Sequence, residues 1–352
     1  MPTFRTLRVV EILAERTGLQ RVRLDDGSRA YSLTQLTGTV SVSDEVVVNT
    51  TAVDLGLGTG GWHVVHWNLA RRELSQPGPG HIMKVRYTSL QADTGAAEEL
   101  LPTASMRPDA GMPHLGGVPI LVGSLHSQLG VAAAVIAHLR PGTRVSYVMT
   151  DGAALPLALS DLVADLCERG LLCGTITAGH AFGGDLEAVS VPSALQIAVE
   201  LQHAELVVCV MGPGVVGTDT TLGTTSVEVA AVLAAVDRLG GTPVPMVRAS
   251  SADARARHRG ISHHTRSALA LVAMALDVPI PPELADQVVD IGHHRAVVIE
   301  PPDVATALEA VRMTVTTMGR GPTDDPGFFR AVGAAAQHAV DLLAPPGTVA
   351  PA

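Results

Sequence analysis

The chain has 352 residues, of which 47% are hydrophobic and 16% are charged. This length and composition fit a large globular protein and exclude both a lone small module and a disordered chain. The 34 acidic residues outnumber the 24 basic ones and give a formal net charge of -10, so we expect no general binding to nucleic acid.

The cysteine pattern and the apolar runs indicate a cytoplasmic protein with no membrane partner. Cys167, Cys173 and Cys209 match no paired metal-binding spacing, and an odd number in a long chain is no disulfide framework. The first 16 residues carry charges where a signal peptide needs an apolar stretch. The longest apolar runs, at 129–137 and 269–276, are too short to span a bilayer.

In residues 7–69, short segments of alternating apolar and polar residues are separated by residues that favour turns. This pattern is typical of strands of about five residues. It predicts a small β-barrel or β-sandwich domain over residues 1–87.

The glycine-rich loop of this domain at 55–61 permits close backbone approach to a ligand, although a wide structural turn is the alternative. Lys84 is the single lysine and a candidate ligand-binding residue, with an ordinary surface position as the alternative. A loose segment at 88–117 follows and is predicted as a linker.

From residue 118 onward, apolar strands alternate with helical segments, which is typical of a parallel sheet with right-handed crossovers. The strands are predicted at 118–122, 144–149, 172–177, 205–211, 244–248 and 296–299. The helices are predicted at 127–139, 157–170, 191–202, 226–239, 262–276 and 302–312. The fold class is therefore α/β, with a doubly wound, mostly parallel, Rossmann-like sheet over residues 118–343 and a disordered tail at 344–352.

The turns that follow the predicted strands are polar, and open α/β sheets bind ligands at the carboxyl ends of their strands. Ser124 and His126 follow the first strand, Asp151 follows the second, and His180 and Asp185 follow the third. We expect these turns to converge on one edge of the sheet. Ser124 and His126 are assigned to ligand binding, because residues two apart rarely form a nucleophile and its base.

The loop after the fourth predicted strand has the pattern G-x-G-x-x-G at Gly212, Gly214 and Gly217, which is the dinucleotide-binding fingerprint. Residues 218–225 delay the helix that should follow it, and the next strand ends in Arg248 instead of an acid. An NAD(P) site is therefore disfavoured. With the hydroxyl of Thr218, the loop could still hold a phosphate or carboxylate, or it could be purely structural.

Residues 255–264 concentrate three arginines and three histidines immediately before a helix that Ser262 could cap. Guanidinium groups of Arg248, Arg257 and Arg259 suit an anionic ligand, and His263 could act as an acid or base near neutral pH. An exposed, charged helix entry is the alternative.

A divalent metal is the other interpretation of these polar turns. His180 and His263 or His264, together with Asp151 or Asp185, would provide the nitrogen and oxygen ligands that zinc or manganese accepts. No established ligand spacing supports this set. The histidines at 293 and 294 precede the last predicted strand, and we expect them at the surface.

Four long strings in order resemble a known family. They are NTTAVDLGLGTGG at 49–61, HIMKVRYT at 81–88, GHAFGGDLE at 179–187 and RHRGISHHT at 257–265. Together they resemble the bacterial domain-of-unknown-function family 3866, found in actinobacteria and firmicutes, over nearly the whole chain. The resemblance implies no activity and no catalytic residue.

The residues themselves favour an enzyme, a hydrolase or transferase, that acts on a small anionic, phosphorylated or nucleotide-like metabolite at the carboxyl edge of the sheet. His180, His263, Asp151 and Asp185 are its candidate catalytic residues. The alternative is a metabolite-binding sensor or assembly protein without catalysis. The sequence allows a homo-oligomer but does not require one.

Overall fold

The computed structural model describes residues 1–58, 60–102 and 111–343, and for residues 288–290 it describes only the backbone. The chain forms two compact units, Met1–Gly95 and Ala96–Ala352. The described part of the predicted linker at 88–117 contains a strand at Ala92–Thr94 and a 3₁₀-helix at Ala97–Leu100. The predicted tail at 344–352 lies outside the described residues.

The first unit is a closed barrel of five strands, which decides between the barrel and the sandwich that the sequence left open. Its elements are β1 (Phe4–Arg16), β2 (Leu19–Leu24), β3 (Arg29–Leu33), α1 (Thr34–Thr37), β4 (Glu45–Asn49), α2 (Thr51–Asp54) and β5 (Trp62–Asn68). The strands follow the order β1-β2-β3-β5-β4, with β3 parallel to β5 and β1 antiparallel to β4. This is a Greek-key barrel, the class that includes the OB-fold.

The barrel forms because its strands alternate buried and exposed positions, so that one face of each strand fills the interior. Val46 and Val48 of β4 are fully buried, and they pack with Val22 and Leu24 of β2. A hairpin of β6 (Ile82–Lys84) and β7 (Ala92–Thr94) follows the barrel. Lys84 is 1% exposed in β6, so the surface position considered for it is wrong.

The second unit is built on a six-stranded sheet in which every neighbouring pair is parallel. Its first part comprises β8 (Pro119–Gly123), α3 (His126–Leu139), β9 (Val145–Thr150), α4 (Asp161–Glu168), β10 (Gly174–Ala178), β11 (Leu186–Ala188), α5 (Val191–Glu200) and β12 (Leu206–Met211). The rest comprises α6 (Glu228–Arg238), β13 (Thr242–Pro245), β14 (Ala249–Ser250), β15 (Gly260–Ile261), α7 (His263–Ala270), β16 (Asp277–Ile280), β17 (Arg295–Val298), α8 (Val304–Ala310) and α9 (Pro326–Asp341). The strand order is β11-β10-β9-β12-β8-β13.

Successive residues of the central strands belong to two different hydrophobic clusters. In β8, Ile120 and Val122 pack in the cluster that contains α5 and α6, whereas Leu121 packs in the cluster that contains α3 and α9. Side chains of a strand alternate between the two faces of a sheet, and both clusters are almost free of water contact. Because both faces of these strands are buried, their sequences are continuous runs of apolar residues.

Several predicted elements differ from the structure. The last predicted strand, observed as β17, pairs with β16 in a separate two-stranded sheet, and the short β11 occupies the outer position of the main sheet instead. The predicted helix 262–276 ends at Ala270, and α9 was not predicted. His294 is buried, with its Nε2 2.9 Å from the carbonyl oxygen of Leu269, so the surface prediction is wrong for it. Within the described residues, none of the helices is long and apolar enough to cross a membrane.

Candidate functional site

Four polar turns lie at the carboxyl ends of parallel strands, as the sequence predicts. Ser124 follows β8, Asp151 follows β9 and Gly212 follows β12, and two residues separate Arg248 from the end of β13. Because all four strands run in the same direction, these turns share one edge of the sheet.

Arg248 is the central residue of this edge. Its side chain is largely buried, with 7% of the residue exposed, and its Nη1 donates to Nδ1 of His264 over 2.9 Å. Burial lowers the pKa of Arg248 to about 10, so the guanidinium is charged at neutral pH. No carboxylate of the described chain forms an ion pair with it. The protein therefore holds a buried positive charge opposite a neutral imidazole.

His258, His263 and His264 form what we call the histidine cluster. Their ring centroids lie 4.3–4.9 Å apart. Ser262 caps α7 as predicted, because its Oγ accepts from the backbone N–H of His264, and the same Oγ lies 2.7 Å from Nδ1 of His258. Burial, and then the charge of Arg248, lower the pKa of His258 to about 4 and that of His264 to about 3. All three pKa values are lowered, so the cluster is neutral at neutral pH.

A cavity of about 270 Å³, which we call the rim cavity, opens beside these residues. It is lined by Arg248, Arg255, Arg257, His258, His264, Val215, Val216, Gly217 and Met318. Arg255 is paired with Asp253 through two hydrogen bonds of 3.0 and 2.9 Å. Arg257 is paired with Asp219 at 2.8 Å, and that aspartate is largely exposed. The cavity wall thus carries three cations, of which Arg248 lacks an ionic partner in the described chain.

Distance alone would allow the histidine cluster to hold a metal ion, because one nitrogen of each ring lies within 4.8 Å of the others. The surroundings oppose this. A guanidinium group only donates hydrogen bonds, so Arg248 occupies the Nδ1 lone pair of His264 and leaves the proton on Nε2. A divalent cation about 5 Å from one guanidinium would also be disfavoured by roughly 7 kcal/mol at an effective dielectric constant of about 20. The donor set therefore fits an anion better than a cation.

The glycine-rich loop after β12 has a local structural reason for each of its three glycines. A Cβ on Gly212 would lie 2.6 Å from the carbonyl oxygen of Ala154, and Gly214 has a φ of 103°. A Cβ on Gly217 would lie 3.0 Å from Nε2 of His264. The fingerprint spacing therefore follows from packing and backbone conformation, without a dinucleotide.

The loop continues as a small hairpin. The N–H of Thr218 donates to the carbonyl oxygen of Gly223 over 2.7 Å, and the N–H of Thr225 donates to that of Val216 over 3.0 Å. The N–H of Val216 donates to Oγ1 of Thr225. These amide groups donate their hydrogen bonds within the hairpin. The positive charge of the cavity therefore comes from its arginines.

The remaining predicted residues at the sheet edge occupy separate places. Ser124 is buried and lines a small void together with Ser226 and His264. His126 lies 2.6 Å from Oγ of Ser160 through Nε2, and burial lowers the pKa of His126 to about 4. His180 donates its backbone N–H to Oδ2 of Asp151 over 2.9 Å. These residues do not line the rim cavity.

Two other predicted residues of the second unit lie outside the cluster. Asp185 accepts hydrogen bonds from the N–H and Oγ1 of Thr175, which places it beside the amino-terminal half of β10. Arg259 donates through Nε to the carbonyl oxygen of Asp253. Lys84 belongs to the first unit. Of the predicted residues, Arg248, Arg257, Ser262, His263 and Gly217 are the ones that the fold brings together.

Two residues of this edge were not singled out from the sequence, His258 and Glu228. Glu228 begins α6, and its Oε1 accepts from Oγ1 of Thr150 over 2.5 Å. Burial, reinforced by the nearby charge of Asp151, raises the pKa of Glu228 to about 7. An acidic residue in the first helical turn is common, so nothing in the sequence marks this one as buried. The RHRGISHHT string did contain His258, but its contact with Ser262 depends on the fold.

The fold and this site define an α/β protein with a five-stranded barrel at its amino terminus and a cationic cavity at the carboxyl edge of a parallel sheet. The chain belongs to the family described as "Protein of unknown function (DUF3866)", whose family model matches residues 29–336. This confirms the family suggested by the four sequence strings. No curated protein and no solved structure matches the chain.

Proposed function

We propose that the protein is an enzyme, a hydrolase or transferase, that binds a small anionic, phosphorylated or nucleotide-like metabolite in the rim cavity. The observation that supports this is the buried guanidinium of Arg248, which has no carboxylate partner within the described chain. An uncompensated buried charge is strongly unfavourable, and proteins normally pair such charges. An anionic ligand in the cavity would provide the missing partner.

Size and charge narrow the ligand class. A volume of about 270 Å³ lies near the lower end of ligand pockets, so it suits a small molecule or one phosphorylated end of a larger one. Arg248, Arg255 and Arg257 together suit a ligand with at least two negative charges, and planar guanidinium groups match phosphate oxygens well. The apolar sides of Val215 and Met318 would contact the uncharged part of the ligand.

The histidine cluster supports catalysis instead of binding alone. Its imidazoles are neutral near pH 7 and can accept a proton next to the bound anion. In this proposal the arginines hold the anion, and His258 or His263 moves a proton to or from the reacting group. His180, Asp151 and Asp185, the other candidate catalytic residues, have no role in this proposal.

The test is a thermal-shift screen with sulfate, phosphate, small phosphate esters and nucleotides, each with and without divalent metal and chelator. A ligand at about 100 times its dissociation constant should add roughly 2.7 kcal/mol, which is a shift of a few degrees for a unit of this size. Arg248→Met should abolish the shift, and Arg238→Met, at an exposed position of α6, should preserve it. A full shift in Arg248→Met, or stabilisation by metal alone, would contradict the anion site.

One observation favours the alternative of a metabolite-binding sensor or assembly protein. Among the described residues that line the cavity, none has a hydroxyl, thiol or carboxylate side chain that could act as a nucleophile. Catalysis would then need water or a second substrate as the nucleophile. Tight binding of a phosphorylated ligand without product after long incubation would favour the sensor.

We further propose a doubly wound, Rossmann-like sheet, supported by the two hydrophobic clusters that share the central strands. A cytoplasmic location is supported by the free thiols of Cys167, Cys173 and Cys209. Nucleic acid and membranes are not among the proposed partners, and a homo-oligomer is compatible with the proposal.

A further inference from the structure

The histidine cluster is packed against the same positive charges that would bind the ligand. Nδ1 of His264 lies 2.9 Å from Nη1 of Arg248. His258 and His264 line the rim cavity directly, and His263 contacts both of their rings. Nε2 of His263 is buried and has no hydrogen-bond partner in the described part of the chain. Any change of charge in the cavity therefore acts on these imidazoles at short range.

The charged groups around the cluster are of both signs, but the cations dominate. Arg248 precedes β14, Arg255 and Arg257 belong to the turn before β15, and all three disfavour a protonated imidazole. Asp253 acts in the opposite direction on His258, and Asp219 does so on His263. Both aspartates are already paired with arginines, so their effect on the imidazoles is offset.

We propose that the anion enters the rim cavity together with a proton, which the histidine cluster takes up, so that the complex holds an imidazolium beside the anion. This rests on the proposed function, because it describes the state in which the same site holds its ligand. The proton comes from solvent and adds to an imidazole nitrogen. In a reaction that follows, that imidazolium is the group placed to protonate a leaving oxygen.

The physical reason is that a bound anion adds negative charge where the arginines alone place positive charge beside the imidazoles. An opposite charge within about 4–6 Å raises the pKa of a cation by one to three units. A bound dianion would therefore raise the pKa of His258 above the value of about 4 that it has in the free site. At pH 5.5 this residue is almost unprotonated in the free site, and after a rise of one to three units it holds about a quarter of a proton or more. The affinity for the anion then falls as the pH rises, by up to tenfold per pH unit when binding takes up one proton.

The experiment is isothermal titration calorimetry of the full chain with sulfate, which carries two charges across this pH range and does not itself take up protons. Titrations at pH 5.5 are run in MES and in Bis-Tris, whose heats of ionisation differ. The difference in apparent binding enthalpy divided by the difference in ionisation heat gives the number of protons taken up. We expect about a quarter of a proton or more per sulfate bound, decreasing toward zero at pH 8.

Three variants assign the proton. His258→Asn, His263→Asn and His264→Asn keep a polar side chain, and at least one of them should reduce the uptake by half or more while sulfate still binds. His293→Asn, at an exposed histidine, should behave as the wild type. Binding with equal enthalpies in the two buffers, or uptake unchanged in all three variants, would overturn the inference and leave the proposed function standing. If neither sulfate nor phosphate binds the wild-type chain, the proposed function itself fails.

Discussion

Burial acts on two side chains at the carboxyl edge of the sheet and disfavours the charged form of each. It raises the pKa of Glu228 to about 7 and lowers the pKa of His258 to about 4. Both shifts have the same cause, because desolvation disfavours a charge of either sign. A carboxyl group whose pKa lies near 7, as that of Glu228 does, can both give and take a proton at neutral pH, and groups with strongly shifted pKa values are common at functional sites.

Glu228 should make the protein less stable as the pH rises. Its pKa is higher in the folded than in the unfolded chain, so the unfolded state loses its proton first and the free energy of unfolding falls between about pH 4.5 and 7. Glu228→Gln, which keeps an acceptor for Thr150, should therefore become more stable than the wild type across this window and match it below pH 4.5. Urea unfolding at several pH values measures this.

Glu309→Gln provides the matched control, because Glu309 lies at an exposed position of α8. It should follow the wild-type pH profile throughout the window. A constant difference between Glu228→Gln and the wild type from pH 4.5 to 8 would mean that Glu228 ionises normally in the folded chain.

At the scale of elements, the loop after β12 and the first turn of α7 form one packed arrangement. Gly217 leaves room for the ring of His264, whose backbone N–H is capped by Ser262. The sequence disfavours a dinucleotide at this loop, and the third glycine of the motif faces an imidazole. The loop therefore positions a side chain of the proposed site.

Gly217→Ala should weaken anion binding without unfolding the protein. The added methyl group would lie 3.0–3.1 Å from Nε2 and Cε1 of His264, so the ring must move and its hydrogen bond with Arg248 is disturbed. We expect at least a tenfold loss of sulfate affinity and a loss of about 1 kcal/mol in stability. Calorimetry and urea unfolding measure the two effects.

The control for this substitution is Gly321→Ala, where the nearest atom to an added Cβ lies 3.6 Å away. Its affinity should equal that of the wild type. Should Gly217→Ala bind sulfate normally, the position of His264 would be irrelevant to binding.

At the scale of the whole molecule, the two units have separate hydrophobic cores. The barrel interior is built from residues of β1 to β5 such as Val9 and Val65, and the sheet of the second unit has its own two clusters. All residues that line the rim cavity belong to the second unit. The predictions that Lys84 and the glycine-rich loop at 55–61 contact a ligand stay predictions.

A chain that begins at Ala96 should fold and retain the anion site. We expect its sulfate affinity to lie within about threefold of that of the full chain, because every residue that lines the cavity remains. Circular dichroism shows whether it folds, and calorimetry gives the affinity. A folded truncated chain without sulfate binding would mean that the barrel contributes to the site, as predicted for Lys84.

The sequence by itself determined an amino-terminal β unit, a parallel α/β sheet and the edge of that sheet where the polar turns meet. Strands buried on both faces must be apolar, and crossover helices force them parallel, so strand positions also predict where polar turns meet. The strings at 179–187 and 257–265 helped to identify the family, and Arg248, Ser262 and His263 followed from their places after strands or before a helix. These features depend on local pattern, which the sequence contains.

Only the tertiary structure decided which of these residues form one site. Asp185 follows a predicted strand, but the chain turns back and leaves it beside Thr175. His258 and Glu228 acquire unusual protonation because of burial, which no local pattern encodes. The missing partner of Arg248 is likewise a property of three-dimensional surroundings. Burial and charge compensation depend on contacts between residues far apart in the chain, and those contacts exist only once the chain has folded.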